Sequence, residues 1–399
     1  MSLTVDCKNL SGKINVPYSK SMAHRYLIAS FLSGNYDAIK KFDETNISDD
    51  VLATKECLLS LISNSSPFML NCNESGTTLR IIISIIAALG INAEIKTVGT
   101  LASRPMDALV NVLREHGAII EIHDNTEGRT YSVSGKINPG EYSISGEISS
   151  QYISSLLFAL PLLGGESIIK IEGEIASKPY IDLTLKTLEE FNIEIKPSRN
   201  NFVISSNQRY IYPTNATELL EGDWSQGAIW LSVNSHLNTI EVLGLDEDSL
   251  QPDAFIQDIL EIEDDLDVIV SAKDCPDLVP AISLWALPRS GKTTITELNR
   301  LKYKESDRLS SLHEIIESLG GNAEIVDDNL IIVGSNGKLL HPKNQLINTY
   351  KDHRMVMFAS LASVVTDGSV TIDSPESVAK SYPNFFEEIK RLGGILRWN

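Results

Sequence analysis

Basic residues are scarce in this chain. Its 34 lysines and arginines stand against 53 aspartates and glutamates, which gives a formal net charge of −19. Such an excess of negative charge opposes binding to nucleic acid and to anionic membrane surfaces, so we expect neither among the partners. Any anionic ligand must then be held by locally clustered cations.

Cysteine is also rare, with four residues in 399. Cys7, Cys57, Cys72 and Cys275 show neither CxxC spacing nor a histidine at zinc-site spacing. This excludes the usual zinc and disulfide frameworks, so no metal is expected. We expect all four cysteines to be small buried residues.

Long apolar runs are missing too. The most apolar run, Ile81 to Ile91, is about half the length that crosses a bilayer and predicts a buried helix. The first residues, MSLTVDCKNLSGKINV, lack the basic and apolar segments of a signal peptide. We therefore expect a cytoplasmic protein. The sequence shows no coiled-coil heptads, which makes a monomer the default expectation.

Six stretches share one pattern, in which an amphipathic helix that ends near Gly or Asn leads into an alternating strand. The helices are marked by Asp50, Asp107, Asp182, Asp253, Arg308 and Asn384. A length of 399 residues favours two or three domains. The pattern predicts an α/β architecture with two domains of three units each, divided near Glu221 and Gly222 in LLEGDWS. A chance succession of ordinary α/β helices is the alternative.

One stretch, RSGKTT, resembles the end of a P-loop. The complete motif needs glycine where the chain has Ala286, and a helix after Lys292 and Thr293. The following TTITEL alternates as a strand, so we exclude nucleotide binding here. The sequence shows no motif for a flavin or haem either, and no cofactor is expected.

Cations stand at the start of one predicted helix after another, although the chain is acidic. YSKSMAHR places Lys20 and Ser21 at a helix start with Arg25 one turn further, and ESGTTLR repeats the arrangement with Gly76 and Arg80. Helix N-terminal N–H groups together with cations bind anions. Each stretch alone also fits an ordinary capped helix with solvated charges.

Further stretches extend the set. They are Arg104 in SRPM, Ser149, Ser150 and Gln151 in ISSQYISS, Lys304 and Arg308 in YKESDR, His353 and Arg354 in KDHRM, and Lys380 in SVAKSYP. YKESDR is interpreted as one helical turn of alternating cations and carboxylates. Asp277 heads the apolar segment CPDLVPAISLWAL, either as an N-cap or as a general base in a dry pocket. Helix starts facing one cleft would suit a multiply anionic ligand and acid/base chemistry.

Together these motifs closely resemble the 5-enolpyruvylshikimate-3-phosphate synthases, a family of enolpyruvyl transferases. The matching stretches are SKSMAHR, SDDV, SGTTLR, RPM, SSQY, SKPYIDLTL, EGDWS, PDLVPA, YKESDR, DHRM and AKSYP. They follow the family order from residue 19 to residue 383 and so span almost the whole chain.

The resemblance implies a two-domain inside-out α/β fold of six βαβαββ units, three per domain, with the active site in the interdomain cleft. A discontinuous domain, residues 1–17 and 222–399, would carry Asp277, Glu305, Arg308, Arg354 and Lys380. An inserted domain, residues 18–221, would carry Lys20, Arg25, Arg104 and Ser149 to Gln151. The two domains would close on the substrates.

The implied reaction transfers the enolpyruvyl group of phosphoenolpyruvate to the 5-hydroxyl of shikimate 3-phosphate and releases phosphate, without a cofactor. Asp277 would accept the hydroxyl proton, Glu305 would donate a proton to the methylene carbon, and Lys20 would assist proton transfer. The residues implied for shikimate 3-phosphate are Lys20, Ser21, Arg25, Ser149, Ser150, Gln151, Ser177, Tyr180, Asp277 and Lys304. Those implied for phosphoenolpyruvate are Lys20, Gly76, Arg104, Gln151, Arg308, Arg354 and Lys380, with Arg80 and His353 adjacent. Asp307 is expected to be structural, and glyphosate is expected to compete with phosphoenolpyruvate beside Gly76.

The chain departs from the family pattern at three positions. Tyr18 replaces a usual glycine, Glu74 replaces a commoner asparagine, and Arg300 stands where the family often has asparagine.

Two alternatives share the scaffold. UDP-N-acetylglucosamine enolpyruvyl transferases carry Lys-Asn in place of Lys20-Ser21, and usually a cysteine in the loop that here reads GTLASRP. A catalytically silent anion-binding protein would not require the carboxylates Asp277 and Glu305.

Overall fold

The structure is a computed structural model that describes residues 1–45, 47–63 and 67–399. Its chain divides into two compact units. We call Met1–Ser19 together with Glu221–Asn399 the split unit, and Lys20–Leu220 the inserted unit. The two crossings expected from the sequence, at residues 17/18 and 221/222, lie close to these boundaries.

The strands and helices follow in chain order. The strands are β1 Ser2–Asp6, β2 Gly12–Asn15, β3 Phe68–Asn71, β4 Ala93–Val98, β5 Ala118–Asp124, β6 Gly128–Gly135, β7 Glu141–Ser145, β8 Ser167–Glu172, β9 Ile195–Ser198, β10 Asn201–Ile204, β11 Ile240–Leu243, β12 Val268–Ser271, β13 Lys292–Thr296, β14 Asn322–Val326, β15 Asn329–Val333, β16 Val370–Asp373 and β17 Ile395–Trp398. The α-helices are α1 Lys20–Leu32, α2 Tyr36–Lys40, α3 Asp49–Ile62, α4 Gly76–Leu89, α5 Asp107–Glu115, α6 Ser150–Ala159, α7 Lys178–Glu190, α8 Trp224–Leu237, α9 Ile256–Leu260, α10 Val279–Ala286, α11 Arg308–Ser318, α12 His353–Leu361 and α13 Phe385–Arg391. Short 3-10 helices lie at Gly99–Ser103, Leu160–Leu162, Ala216–Leu219, Pro252–Phe255, Pro276–Leu278, Leu301–Tyr303, Ala362–Val365 and Pro375–Lys380.

Three sheets share one strand order. They are β3-β4-β6-β5 and β7-β8-β10-β9 in the inserted unit and β12-β13-β15-β14 in the split unit. In each sheet the first two strands are parallel, and the other neighbouring pairs are antiparallel. The parallel pairs need a crossover, which α4, α6 and α10 supply. Each sheet with its helices is therefore a βαβαββ unit.

The split unit also joins the two ends of the chain. Strand β1 lies between β16 and β17 and is antiparallel to both, so Leu3 is opposite Ile372 on one side and Trp398 on the other. A second contribution of the N-terminal segment is β2, which pairs in parallel with β11. The N-terminal residues thus complete sheets whose other strands come from the C-terminal half.

Side-chain caps explain where several helices begin. The side chains of Ser75, Ser149 and Asp307 accept hydrogen bonds from main-chain N–H groups in the first turns of α4, α6 and α11. Each such cap stabilises a helix by about 1 kcal/mol. Because these caps depend on local sequence, the helix starts follow the sequence prediction closely.

Apolar helices form the cores. In α4, residues 81–88 are all buried, and the helix ends at Leu89 because Gly90 adopts a left-handed backbone (φ 69°). In α10 every residue is buried. A helix that is apolar all round must lie inside a core rather than on a surface. The prediction of a buried helix for Ile81–Ile91 is confirmed, with its end two positions earlier than the apolar run.

Other sequence predictions concern single elements. Each of the six marked helices is followed by a strand, and TTITEL contains strand β13 rather than the helix of a P-loop, so both predictions are confirmed. All four cysteines are free and buried, as predicted. Within the described ranges, no helix combines the length and the apolar character required to span a membrane.

Candidate active site

A guanidinium with three carboxylate partners lies at the centre of the split-unit site. Arg308, the first residue of α11, donates from Nη1 to Asp277 (2.7 Å), from Nη2 to Glu305 (2.5 Å) and from Nε to Asp352 (2.7 Å). Its side chain is only 2% exposed. Burial opposes the charged form, but the three carboxylates outweigh burial and raise the pKa of Arg308. Arg308 is therefore a fixed cation.

Three cationic side chains lie close to the carboxylate of Asp277. Its Oδ1 lies 2.7 Å from Arg308 Nη1, 3.3 Å from Lys304 Nζ and 3.4 Å from Arg354 Nε. Burial raises the pKa of this carboxyl, but the positive charges of Arg354, Lys304 and Arg308 outweigh burial and hold the pKa well below its usual range. Of the two interpretations from sequence, the N-cap does not apply, because the cap residue of α10 is Leu278.

The prediction that YKESDR forms one helical turn is wrong. Lys304 has an extended backbone (φ −82°, ψ −159°), and α11 begins only at Arg308. The helix cannot start earlier because the side chain of Asp307 caps it, accepting from the N–H of Ser310 at 3.3 Å. The structural role expected of Asp307 is confirmed. Glu305 lies before the helix, where its carboxylate reaches Arg308.

Asp352 organises the front of α12. It accepts from Arg308 on one side, from the Ser306 hydroxyl at 3.0 Å, and from the Arg354 N–H at 2.9 Å as the helix cap. His353 is buried, with Nδ1 3.8 Å from Asp352 Oδ1. Asp352 therefore couples the positions of the two arginines, Arg308 and Arg354.

The split unit contains a further basic residue, Lys380, and a further acidic residue, Asp253. Lys380 donates to the carbonyl oxygen of Lys351 at 3.3 Å. Asp253 is buried and accepts from the Ser225 hydroxyl at 2.6 Å. Burial, followed by repulsion from Asp277, raises the pKa of Asp253 to about 6. Asp253 therefore binds a proton at a higher pH than an ordinary aspartate does.

In the inserted unit, α1 begins with an ion pair and a buried guanidinium. Lys20 Nζ lies 3.1 Å from Asp50 Oδ2 of α3. Arg25 donates from Nε to the Thr184 hydroxyl (2.9 Å) and from its two Nη atoms to the carbonyl oxygens of Ser21 and Tyr180, both at 2.7 Å. These acceptors are neutral, and burial lowers the pKa of Arg25 to about 10. Arg25 thus keeps a positive charge at this helix start.

Two further guanidinium groups converge on the start of α4. A Cβ atom on Gly76 would lie 2.9 Å from Arg80 Nη1 and 3.1 Å from Arg104 Nη1. Only glycine leaves this space open beside both cations. Arg80 Nη1 also donates to Gln151 Oε1 at 2.5 Å, and Gln151 Nε2 donates to Thr77 Oγ1 at 2.9 Å. A helix N-terminus with two converging arginines is suited to bind an anion.

The remaining predicted residues lie at helix starts near these groups. Ser149 caps α6, and its hydroxyl accepts from the N–H of Gln151. Ser150 is the first residue of α6 and is buried. Ser177 precedes α7 with a left-handed backbone (φ 53°), and the N–H of Tyr180 donates to its carbonyl oxygen at 3.2 Å. The structure thus places Ser149 and Ser150 beside Gln151, and Tyr180 beside Arg25.

The three departures from the family pattern take distinct positions. Tyr18 is 54% exposed and forms a strand bridge with Gly222. Glu74 accepts from the N–H of Thr100 at 3.0 Å, and Arg300 donates to the carbonyl oxygen of Lys273. Among the residues described, no cluster of His, Cys, Asp and Glu could hold a metal ion.

This chain matches one family of known proteins along almost its whole length. The sequence matches the family model described as EPSP synthase (3-phosphoshikimate 1-carboxyvinyltransferase) over residues 5–389. The chain belongs to the EPSP synthase family. The family resemblance inferred from the motifs is confirmed.

Relatives of the EPSP synthase family match along their whole length. A 3-phosphoshikimate 1-carboxyvinyltransferase of Clostridioides difficile strain 630 is 36% identical, over 100% of this chain and 99% of that protein. The corresponding protein of Clostridium perfringens strain 13 / Type A is 35% identical, with 97% of each chain covered. A solved structure of EPSP synthase from Acinetobacter baumannii has a TM-score of 0.74 at 20% identity and covers 100% of both chains. It supports the mixed α/β fold with repeated sheet units.

Several residues of the candidate site have no role that the sequence predicts. Asp50 and Asp352 lie inside the matched stretches SDDV and DHRM, and Arg80 is predicted only as adjacent to the phosphoenolpyruvate residues. The signal for Asp352 was its position directly before two cations at a helix start. Thr184, the partner of Arg25, gives no such signal, because the two residues are 159 positions apart.

Proposed function

We propose that this protein transfers the enolpyruvyl group of phosphoenolpyruvate to the 5-hydroxyl of shikimate 3-phosphate, giving 5-enolpyruvylshikimate 3-phosphate and phosphate. The reaction belongs to the shikimate pathway, which supplies chorismate for aromatic amino acids. The chemistry is an addition of the hydroxyl to the donor followed by elimination of phosphate from a tetrahedral intermediate. It uses no cofactor.

Full-length family membership supports this proposal, and one observation in the structure carries it. Two carboxylates, Asp277 and Glu305, contact the same buried guanidinium of Arg308. A protein that only binds anions gains nothing from carboxylates among its cations. An addition that moves one proton off a hydroxyl and another onto carbon needs two such groups.

We assign the substrates to the residues implied by the family. Shikimate 3-phosphate binds through Lys20, Ser21, Arg25, Ser149, Ser150, Gln151, Ser177, Tyr180, Asp277 and Lys304. Phosphoenolpyruvate binds through Lys20, Gly76, Arg104, Gln151, Arg308, Arg354 and Lys380. The convergence of two guanidinium groups on Gly76 supports the donor assignment. Because both substrates draw residues from both units, the proposal includes an active site in a cleft between two domains of three βαβαββ units each.

The proton transfers follow from this assignment. Asp277 accepts the proton of the 5-hydroxyl as oxygen attacks the central carbon of phosphoenolpyruvate. Glu305 donates a proton to the methylene carbon, and Lys20 contacts both substrates and assists proton transfer. Loss of phosphate and of a proton from the methyl group then restores the carbon–carbon double bond and gives the enol ether. General acid and base groups each contribute about 10²- to 10⁴-fold to such a step.

Substrate binding must change the pairing of Arg308. A carboxylate with a very low pKa is a weak base, and a carboxylate that accepts from a guanidinium is not a proton donor. We propose that the anionic groups of phosphoenolpyruvate take over the donors of Arg308 and Arg354. Asp277 then gains basicity, and Glu305 is free to carry a proton.

Phosphate release tests the proposed function. Purified protein is incubated with phosphoenolpyruvate and either shikimate 3-phosphate or UDP-N-acetylglucosamine. We expect release only with shikimate 3-phosphate and phosphoenolpyruvate together. Release with the nucleotide sugar alone would reassign the acceptor, and release with neither would support a silent anion-binding protein. The cytoplasmic location and the monomeric state stay predictions; sedimentation velocity tests the second.

A further inference from the structure

A buried chain of polar side chains runs beneath the candidate site of the inserted unit. His24 Nδ1 lies 2.7 Å from Thr54 Oγ1, which lies 2.6 Å from Thr78 Oγ1. Thr78 Oγ1 in turn lies 2.7 Å from Ser75 Oγ and 3.3 Å from the carbonyl oxygen of Asp50. His24, Thr54, Thr78 and Ser75 are each no more than 1% exposed. We call these four residues the buried relay.

The relay lies one helical turn behind residues of the candidate site. His24 is four positions after Lys20 on α1, and Thr54 is four positions after Asp50 on α3, so each lies on the same helix face as the earlier residue. The Lys20–Asp50 ion pair at 3.1 Å thus has a second link between the same helices, the His24–Thr54 contact.

A third helix is held by the same contacts. Thr78 is two positions after Gly76 on α4, and its side chain connects this helix start to Thr54 and to the main chain of Asp50. The relay therefore joins the second turns of α1 and α3 to the N-terminal turn of α4, directly behind the helix starts. The starts of α1 and α4 carry Lys20 and Gly76, two residues assigned to phosphoenolpyruvate.

The number of protons available on these groups fixes which of them donates and which accepts in each hydrogen bond of the relay. Each hydroxyl has one proton, and the Asp50 carbonyl oxygen can only accept. If Thr78 donates to Ser75 or to this carbonyl, Thr54 must donate to Thr78, and His24 must donate from Nδ1 to Thr54.

The reverse order would place the histidine proton on Nε2. In the described part of the chain, this buried Nε2 has no hydrogen-bond partner. A buried N–H without an acceptor is costlier and rarer than an acceptor without a donor. Burial, followed by the charges of Lys20 and Arg25, holds the pKa of His24 well below its usual range, so the ring is neutral. His24 therefore carries its proton on Nδ1.

We propose that His24, Thr54 and Thr78 are positioning residues that fix Lys20 and the Gly76 turn for phosphoenolpyruvate through a one-directional relay starting at the Nδ1–H of His24. This inference rests on the proposed function for its role, whereas the direction of the relay does not. Mutation of residues that orient the groups contacting a ligand commonly lowers activity about 10- to 100-fold.

The direction is tested by nitrogen NMR of the full chain labelled with ¹⁵N-histidine at pH 7. The seven histidines are distinguished by comparison with His24→Gln. We expect the His24 signals of a neutral ring protonated at Nδ1. A ring protonated at Nε2, or a charged ring, would overturn the relay as drawn.

The positioning role is tested by kinetics of Thr54→Val, which keeps the side-chain shape and removes the hydroxyl. We expect kcat/KM for phosphoenolpyruvate to fall about 10- to 100-fold well below the melting temperature, and Thr54→Ser to restore it to within about threefold. The matched control is Thr187→Val, because Thr187 is just as deeply buried in the inserted unit and, among the residues described, donates only to the Leu183 carbonyl oxygen in the same helix. It should keep wild-type kinetics.

The outcomes separate the two proposals. Unchanged kinetics in Thr54→Val, with only a lower melting temperature, would show a purely structural hydroxyl and refute the positioning role. A loss in Thr54→Val that Thr54→Ser does not restore would equally contradict it. If the wild-type protein releases no phosphate, the proposed function fails, and the NMR spectrum still decides the relay.

Discussion

Replacing Asp277 by asparagine is a stringent test of the split-unit site. The substitution keeps the shape of the side chain and removes a negative charge that lies within 3.4 Å of three cations. An amide has no basic oxygen that could take the 5-hydroxyl proton at neutral pH. We therefore expect kcat to fall about 10²- to 10⁴-fold, the usual contribution of a general base.

Binding should respond differently. Removal of Asp277 leaves Lys304, Arg308 and Arg354 with less negative charge around them, which favours anionic ligands. KM for phosphoenolpyruvate should stay unchanged or decrease. Unfolding should become easier by about 1 to 3 kcal/mol, because a buried cation loses one partner but Arg308 keeps its bonds to two other carboxylates.

The assay is phosphate release over a range of both substrate concentrations, with calorimetry to establish that the variant is folded. Asp307→Asn is the matched control, because Asp307 is exposed and caps α11, where asparagine caps about as well. It should leave kcat unchanged. Near-normal kcat in Asp277→Asn would remove Asp277 from its role as base. A large rise in KM for shikimate 3-phosphate with normal kcat would limit Asp277 to substrate binding.

Four other predictions concern Gly76, glyphosate, Asp253 and Arg308. Gly76→Ala should raise KM for phosphoenolpyruvate at least tenfold, because the new Cβ would lie 2.9 and 3.1 Å from two guanidinium nitrogens, whereas the Cβ of Gly164→Ala enters open space and should leave the kinetics unchanged. Glyphosate should compete with phosphoenolpyruvate, and inhibition that does not depend on the phosphoenolpyruvate concentration would contradict this. For Asp253, a folded-state pKa raised to about 6 from 3.8 means that its contribution to stability is present below 3.8 and is lost as the pH rises through 6. Asp253→Asn should therefore gain up to about 3 kcal/mol of unfolding free energy relative to wild type between pH 4 and pH 7, and a pH-independent difference would refute the shift. Arg308→Lys should raise KM for phosphoenolpyruvate about 100-fold, since the single ammonium group of lysine cannot replace the several N–H donors of the planar guanidinium. Arg129→Lys, in an exposed ion pair, should leave KM unchanged. Equal kinetics of the two variants would contradict the central role of the Arg308 guanidinium.

Local features explain what the sequence could predict. Helix starts at Lys20, Gly76 and His353 were predictable because caps and apolar runs act over a few residues. The repeated helix-then-strand pattern was visible for the same reason. This pattern predicted the α/β class, and the motif stretches indicated the family, without knowledge of any contact.

Long-range pairing explains what the sequence could not predict. The bond between Arg308 and Asp352 joins positions 44 apart, and the partner of Arg25 is 159 positions away. Such pairs depend on how the sheets are connected and not on neighbouring residues. The helical turn predicted for YKESDR is wrong for a local reason, because the carboxylate of Asp307 caps α11 and the helix begins only at Arg308.

The most direct test of the account is the fate of the enolpyruvyl carbon. Phosphoenolpyruvate labelled with ¹³C at the central carbon is incubated with shikimate 3-phosphate and the protein, and the products are followed by carbon NMR. We expect the label to appear in an enol ether on the 5-oxygen, in an amount equal to the phosphate released. Label found in free pyruvate, or remaining in phosphoenolpyruvate while phosphate is absent, would contradict it.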